Sequence, residues 1–280
     1  HMDHVSGFDD FFRCLYGRDA KANQIWGPPG TAEILQHRFR GYWWNLIEGQ
    51  QASWTVTDID NEHRRPYRFE LSESFATKRE IADLAGDGTL QNGRIVDTPE
   101  LSVDALQLRH HGASIAYLVR EKSRRNFDVG LVEELGLKPG RWMQTVKDSE
   151  QPGVIDVDGR EWDLSELRER LISETPGDSI AYVTDFLLDD ETFRRLSDWL
   201  SGCRTLVCES QYRREDTELA EKYHHTTTDQ VSRLAAAAGV QDLVLFHLSD
   251  RYDRQEWMTM LSQSRANFPN TSFPNHWGLS

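Results

Sequence analysis

Three ionisable residues stand directly behind short apolar runs. Ser179-Ile-Ala-Tyr-Val-Thr184 leads into Asp185, Thr205-Leu-Val-Cys208 into Glu209, and Leu243-Val-Leu-Phe246 into His247. Apolar runs of this length read as buried strands. In open α/β sheets, chemistry sits outside the carboxyl ends of strands, where loops are free but their support is rigid. Near the start of the chain, His1-Met2-Asp3-His4 puts three candidate ligands on four residues, so one tight loop can feed two adjacent ions. His111 stands in His110-His111-Gly112, just before the apolar stretch Ser114 to Val119. With Asp185 and His247, these residues make a set of imidazoles and carboxylates that holds divalent metal. Zinc suits that set, manganese or iron are alternatives, and no thiol is needed.

The elements that must position these groups are partly visible. Phe8, Phe11, Phe12 and Leu15 fall at i, i+3, i+4 and i+7, so a helix starts just behind the metal-type loop. Gly27-Pro28-Pro29-Gly30 marks a turn, and a second amphipathic helix begins near Thr31. Residues 41–105 mix Trp-rich apolar segments with alternating stretches such as Tyr67-Arg68-Phe69-Glu70-Leu71. From 121 to 178 the pattern is irregular, polar and turn-rich, with a hairpin expected at Asp158-Gly159. Phe193, Leu196, Trp199 and Leu200 define a helix capped by Asp189 or Asp190. Another runs from about Thr228 to Gly239. Strands and helices alternating in this way predict an α/β fold, and the 280 residues are read as a single domain.

Composition narrows the function. Hydrophobic residues make up 38% of the chain, with nine Trp and twelve Phe, enough for a substantial core. No apolar run approaches the roughly 18 residues of a membrane span, and a soluble cytoplasmic protein is expected. Cys14, Cys203 and Cys208 lack metal-type spacing and read as reduced structural thiols. With 46 acids against 32 bases, a net charge of −14 argues against a general nucleic-acid binder. Arg120, Lys122, Arg124 and Arg125, and the pair Arg213 and Arg214, are read as solvated faces rather than as a polyanion site. Trp43-Trp44 is read as core or dimer interface.

Taken in order, these motifs resemble the metallo-β-lactamase superfamily, and within it the ribonuclease Z-like branch. The likeness rests on His1-Met2-Asp3-His4-Val5-Ser6-Gly7-Phe8-Asp9, Trp26-Gly27-Pro28-Pro29-Gly30, Arg109-His110-His111-Gly112 and Tyr182-Val183-Thr184-Asp185. It continues through Cys208-Glu209-Ser210, His225-Thr226-Thr227-Thr228-Asp229-Gln230, Phe246-His247-Leu248-Ser249-Asp250-Arg251-Tyr252 and Asn267-Phe268-Pro269-Asn270-Thr271. The resemblance implies a four-layer αβ/βα sandwich with two metals at one sheet edge, the strands that precede the metal loop in this family lying outside the chain. One metal would take His1, His111 and Asp185; the other would take Asp3, His4, His247 and the shared Asp185. Asp3 is the implied general base, and the Glu209/His225 pair the group that protonates the leaving oxygen. In that scheme His110 is a surface or supporting residue and His224 is structural.

The reaction implied is attack of a metal-activated water on a phosphodiester, with the 3′ end of a transfer RNA as one substrate and a homodimer as the assembly. Residues 41–105 hold no Gly/Pro-rich basic arm. Two alternatives follow: a small-ester hydrolase of the same fold, or an interaction protein impaired in catalysis.

Overall fold

A computed structural model describes residues 2–18, 23–82, 88–90, 92–148 and 152–279. They form two compact units. One comprises His1–Asp97, Val103–Val119 and Ile180–Ser280; the other Thr98–Ser102 and Arg120–Ser179.

The first unit contains two sheets. Among the described residues the smaller has four strands in the order Asn23–Gly27, Ser53–Ile59, Arg64–Glu70 and Arg79–Glu80. Its outer face is covered by the helices Phe8–Leu15 and Thr31–Phe39, joined to it by an aromatic core of Phe12, Phe39, Trp54, Phe69 and Phe75. Phe12 sits with its ring 4.8 Å from Phe39 and 5.2 Å from Trp54. Full burial of an aromatic side chain stabilises by about 1.5–3 kcal/mol, so Phe12 is the anchor of the first helix. The second helix has no cap of its own, because Gly30 precedes it at φ 97. Asp58 of the neighbouring strand supplies one, accepting from Gly30 N at 3.0 Å and Ala32 N at 2.8 Å.

The larger sheet has the strand order Thr271–Ser272, Asp242–Phe246, Thr205–Glu209, Ser179–Val183, Ala113–Glu121, Leu101–Arg109 and Arg94–Asp97. The inner faces of the two sheets meet through Ile59, Leu90, Ala105 and Ile115, and Tyr117 Oη donates to Trp26 O at 2.8 Å. Helices Asp190–Trp199, Thr228–Ala238 and Arg254–Asn267 belong with this sheet. Leu196, Val231, Leu234 and Leu261 join strand residues Leu206, Leu243 and Leu245 in one buried cluster. The layers run helix, sheet, sheet, helix, the expected sandwich. Asp189 caps its helix through Thr192 N at 2.8 Å. Thr227 and Gln230 close a capping box, and Gly239 ends that helix at φ 67.

The second unit differs from the irregular stretch expected for 121–178. It holds helices Val129–Glu134, Arg141–Asp148 and Leu164–Leu171 around a core that includes Trp142, Trp162, Leu167 and Leu171. Such short helices hold too few turns to register as a period. Local caps define two of them instead, with Asp163 accepting from Ser165 N and Glu166 N and Asp128 from Leu131 N. The expected hairpin joins Val154–Val157 to Arg160–Asp163. Asp158 and Gly159 take φ 54 and 80, as a two-residue primed turn requires. Among the described residues, no helix is long and apolar enough to cross a membrane.

Candidate metal centre

The site is assembled at the ends of neighbouring parallel strands. Val183 pairs with Cys208, Cys208 with Leu245, and Glu209 with Phe246. Just beyond, Asp185 two residues past its strand and His247 one residue past its own both enter the left-handed backbone region, at φ 51 and 55. Side-chain-bearing residues rarely hold that conformation outside turns and functional sites, where surrounding structure imposes it at a cost of order 1–3 kcal/mol. Here it bends both strand ends so that their side chains converge.

Asp185 is buried and lies at the centre. His4 Nε2 is 2.9 Å from its Oδ2, His247 Nδ1 is 3.5 Å from its Oδ1, and His110 Nε2 is 3.8 Å from its Oδ2. Asp3 Oδ2 stands 3.3 Å from His4 Nε2 and 3.9 Å from His247 Nε2. Two overlapping groups, Asp3 with His4 and His247, and Asp185 with Glu209, His225 and His247, each bring their donor atoms within 4.8 Å of one another. Helix Phe8–Leu15, pinned by Phe12, holds the loop that carries Asp3 and His4.

Glu209 acts as a hub beneath this cluster. It is 0% exposed, and its Oε2 accepts from Asp185 N at 2.9 Å, His225 Nδ1 at 2.9 Å and His247 Nδ1 at 3.2 Å. An ionised carboxylate only accepts, so both Nδ1 atoms carry hydrogen. The other oxygen, Oε1, is buried with no hydrogen-bond partner. Burial pushes the Glu209 carboxyl up, but the hydrogen bonds from His225 and His247 outweigh it and hold it below its ordinary value. Burial likewise raises Asp185, yet the bond from His4 and the fields of His4, His247 and His110 bring it down to about 2. The Asp185 bond lifts His4, the Glu209 bond lifts His247, and burial lowers His110. Asp185 and Glu209 thus favour a proton on His4 and His247, and a divalent cation can take its place. The donor set is all nitrogen and oxygen, already convergent, and includes an orphaned buried carboxylate oxygen. It fits such an ion.

Asp3, His4, Asp185, Glu209, His225 and His247 are therefore brought together, while His1 lies outside the described residues. The imidazole that reaches Asp185 from the 109–112 turn is His110, not His111. His111 is exposed and lies flat against His224, ring centroids 4.9 Å apart at 17°. Consecutive residues at a strand end point to opposite sides, and the bond from His110 N to Gly112 O sets which one turns inward. The spacing to Gly112 carried no such information. Glu209 also serves more than the expected pairing with His225, since it holds His247 as well.

No family model matches the chain. A ribonuclease Z from Deinococcus radiodurans is 44% identical over 277 residues, covering 99% of this chain and 82% of that protein. A ribonuclease Z from Oceanobacillus iheyensis is 26% identical over 287 residues, covering 100% of this chain and 78% of the relative. Among solved structures, the metallo-β-lactamase fold protein YhfI from Bacillus subtilis gives a TM-score of 0.49 at 11% identity, covering 98% of this chain and 70% of that one. The short form of human tRNase Z gives 0.46 at 12% identity, with coverage of 98% and 73%. By its likeness to the Deinococcus protein along nearly its whole length, the chain belongs to the ribonuclease Z family.

Proposed function

We propose that the chain is a metal-dependent endoribonuclease that hydrolyses a phosphodiester, with the 3′ end of precursor transfer RNA as its substrate. The observation that carries this reading is the convergence of Asp3, His4, His110, Asp185 and His247 at the strand ends, above the buried carboxylate of Glu209. Ribonuclease Z relatives make RNA the natural substrate class. Asp185 would be shared between two ions, with Asp3, His4 and His247 on one and His110 on the other. Zinc is the metal we favour for this donor set. When bound, such ions supply Lewis acidity to the phosphoryl oxygens and lower the pKa of a water.

The chain's own residues have separate tasks. Asp3, exposed beside His4, accepts the proton of the attacking water. His225, its Nδ1 hydrogen held by Glu209, presents Nε2 and delivers a proton to the leaving oxygen. Glu209 orients His225 and His247 without touching substrate. A homodimer belongs to this reading, supported by the apolar side chains of Trp43 and Leu46, 86% and 82% exposed on one short segment. So does a cytoplasmic location.

The test is cleavage of a precursor transfer RNA with a 3′ trailer, set beside bis(p-nitrophenyl) phosphate, with and without chelator. Cleavage at the trailer junction, lost on chelation and in His225→Ala, supports the reading. Turnover of the small ester alone would instead favour a small-ester hydrolase of the same fold.

A further inference from the structure

A second set of imidazoles touches the site without a task in the scheme above. His224 follows helix Thr217–Tyr223 at φ 54 and ψ 48, a left-handed C-terminal position where glycine is the default. Its ring Nδ1 lies 2.8 Å from the carbonyl oxygen of His110, and the ring Nδ1 of His110 lies 2.9 Å from the carbonyl oxygen of His224. The two residues are 114 positions apart and clasp each other reciprocally. A carbonyl accepts and never donates, so both Nδ1 atoms carry their hydrogen. In the neutral ring of His110 the lone pair then sits on Nε2, the atom 3.8 Å from Asp185 Oδ2. His111 adds a stacked ring to the outer side of His224.

We propose that His224 is a positioning residue of the metal centre. Its carbonyl selects the tautomer of His110, and its ring anchors the His110 backbone. Together they present Nε2 to the ion and tie the turn bearing His110 to the helix end that precedes His225. The proposal rests on reading the cluster as a divalent-metal site. It accounts for a histidine where the backbone favours glycine: the ring supplies a hydrogen bond that glycine lacks. Fixing the tautomer and ring direction of a ligand through its other nitrogen is worth about 10–100-fold in metal affinity.

The experiment compares wild type, His224→Gly and His224→Asn in the full chain. Asparagine tolerates the left-handed backbone and offers a side-chain N–H near the position of Nδ1. Zn²⁺ affinity is read by chelator competition, the His110 tautomer by long-range ¹H–¹⁵N spectra of the metal-free chain, and folding by thermal melting in chelator. His224→Gly is expected to melt close to the wild-type temperature, because relief of the left-handed backbone offsets the lost ring hydrogen bond. It should nonetheless bind Zn²⁺ about 10–100-fold more weakly, because the ring that anchors the His110 backbone is gone, while the main-chain carbonyl of residue 224 still holds His110 in its Nδ1–H tautomer. His224→Asn should recover most of the affinity. Wild-type affinity in His224→Gly would overturn the proposal and leave His224 a helix terminator. Failure of the wild-type chain to take up Zn²⁺ would overturn the metal reading and the proposal with it. The tautomer spectra, recorded without metal, separate that result from failure of the clasp.

Discussion

Glu209→Gln removes one charge and almost no volume from the base of the site. Its Oε2 makes all three bonds, to Asp185 N, His225 Nδ1 and His247 Nδ1, while Oε1 has no partner. A glutamine can therefore keep its carbonyl in the first position and place its NH₂ in the second. The three bonds survive in outline but lose their charge assistance, which amounts to about 1 kcal/mol each, or about 3 kcal/mol in all. Against this, the variant is spared the desolvation of a fully buried carboxylate, an effect of several kcal/mol in the opposite direction. The two contributions nearly cancel, so the metal-free chain should change stability by less than about 2 kcal/mol. Metal affinity has no such compensation. His247 loses the carboxylate that aligns it, and a fall of about 10–100-fold is expected. Chelator-competition titration with Zn²⁺ and urea unfolding in chelator measure the two effects on the same protein. An affinity within twofold of wild type would refute the orienting role. A stability loss above about 4 kcal/mol would show that Glu209 chiefly holds the fold.

Other perturbations test neighbouring links. Asp185, held at about 2 in the folded chain, contributes stability that is present above its unfolded value near 3.9 and is lost as pH falls toward 2. The size is about 2 kcal/mol, so unfolding of the metal-free protein followed between pH 5 and 3 should show a slope that Asp185→Asn flattens. His4 has the opposite sign: its raised value gives stability that is present below about 6.5 and lost as pH rises through the folded value. Metal must displace that proton, so Zn²⁺ affinity should climb between pH 6 and 8, and a flat profile would count against His4 as a ligand. Phe39→Ala empties the centre of the aromatic core and should lower stability by about 3–5 kcal/mol in urea unfolding. Thr227→Ala removes one half of a capping box and should lower it by about 1 kcal/mol.

Much of the fold was legible because its signals are local. Apolar runs ending in Asp185, Glu209 and His247 do mark strand ends, and the cap at Asp189 and the terminator Gly239 lie where side-chain chemistry puts them. What stayed hidden depends on tertiary phase. Whether His110 or His111 turns inward is decided by the bond between His110 N and Gly112 O and by Leu187 N donating to Arg109 O, 78 positions away in partner identity though adjacent in space. The left-handed backbone at Asp185, His224 and His247 runs against residue preference, which would put glycine there. The short helices of the second unit carry too few turns to show a period.

Because Asp185, Glu209 and His247 are spaced by the pairing of parallel strands, their separation is quantised. A slip of one residue in any of the three would shift its group by about 3.3 Å along the strand and turn it to the opposite face. No slipped arrangement can present the same donors to one ion. Metal capture would therefore act as a proofreading step in folding, rewarding only the chain whose parallel strands have settled in register.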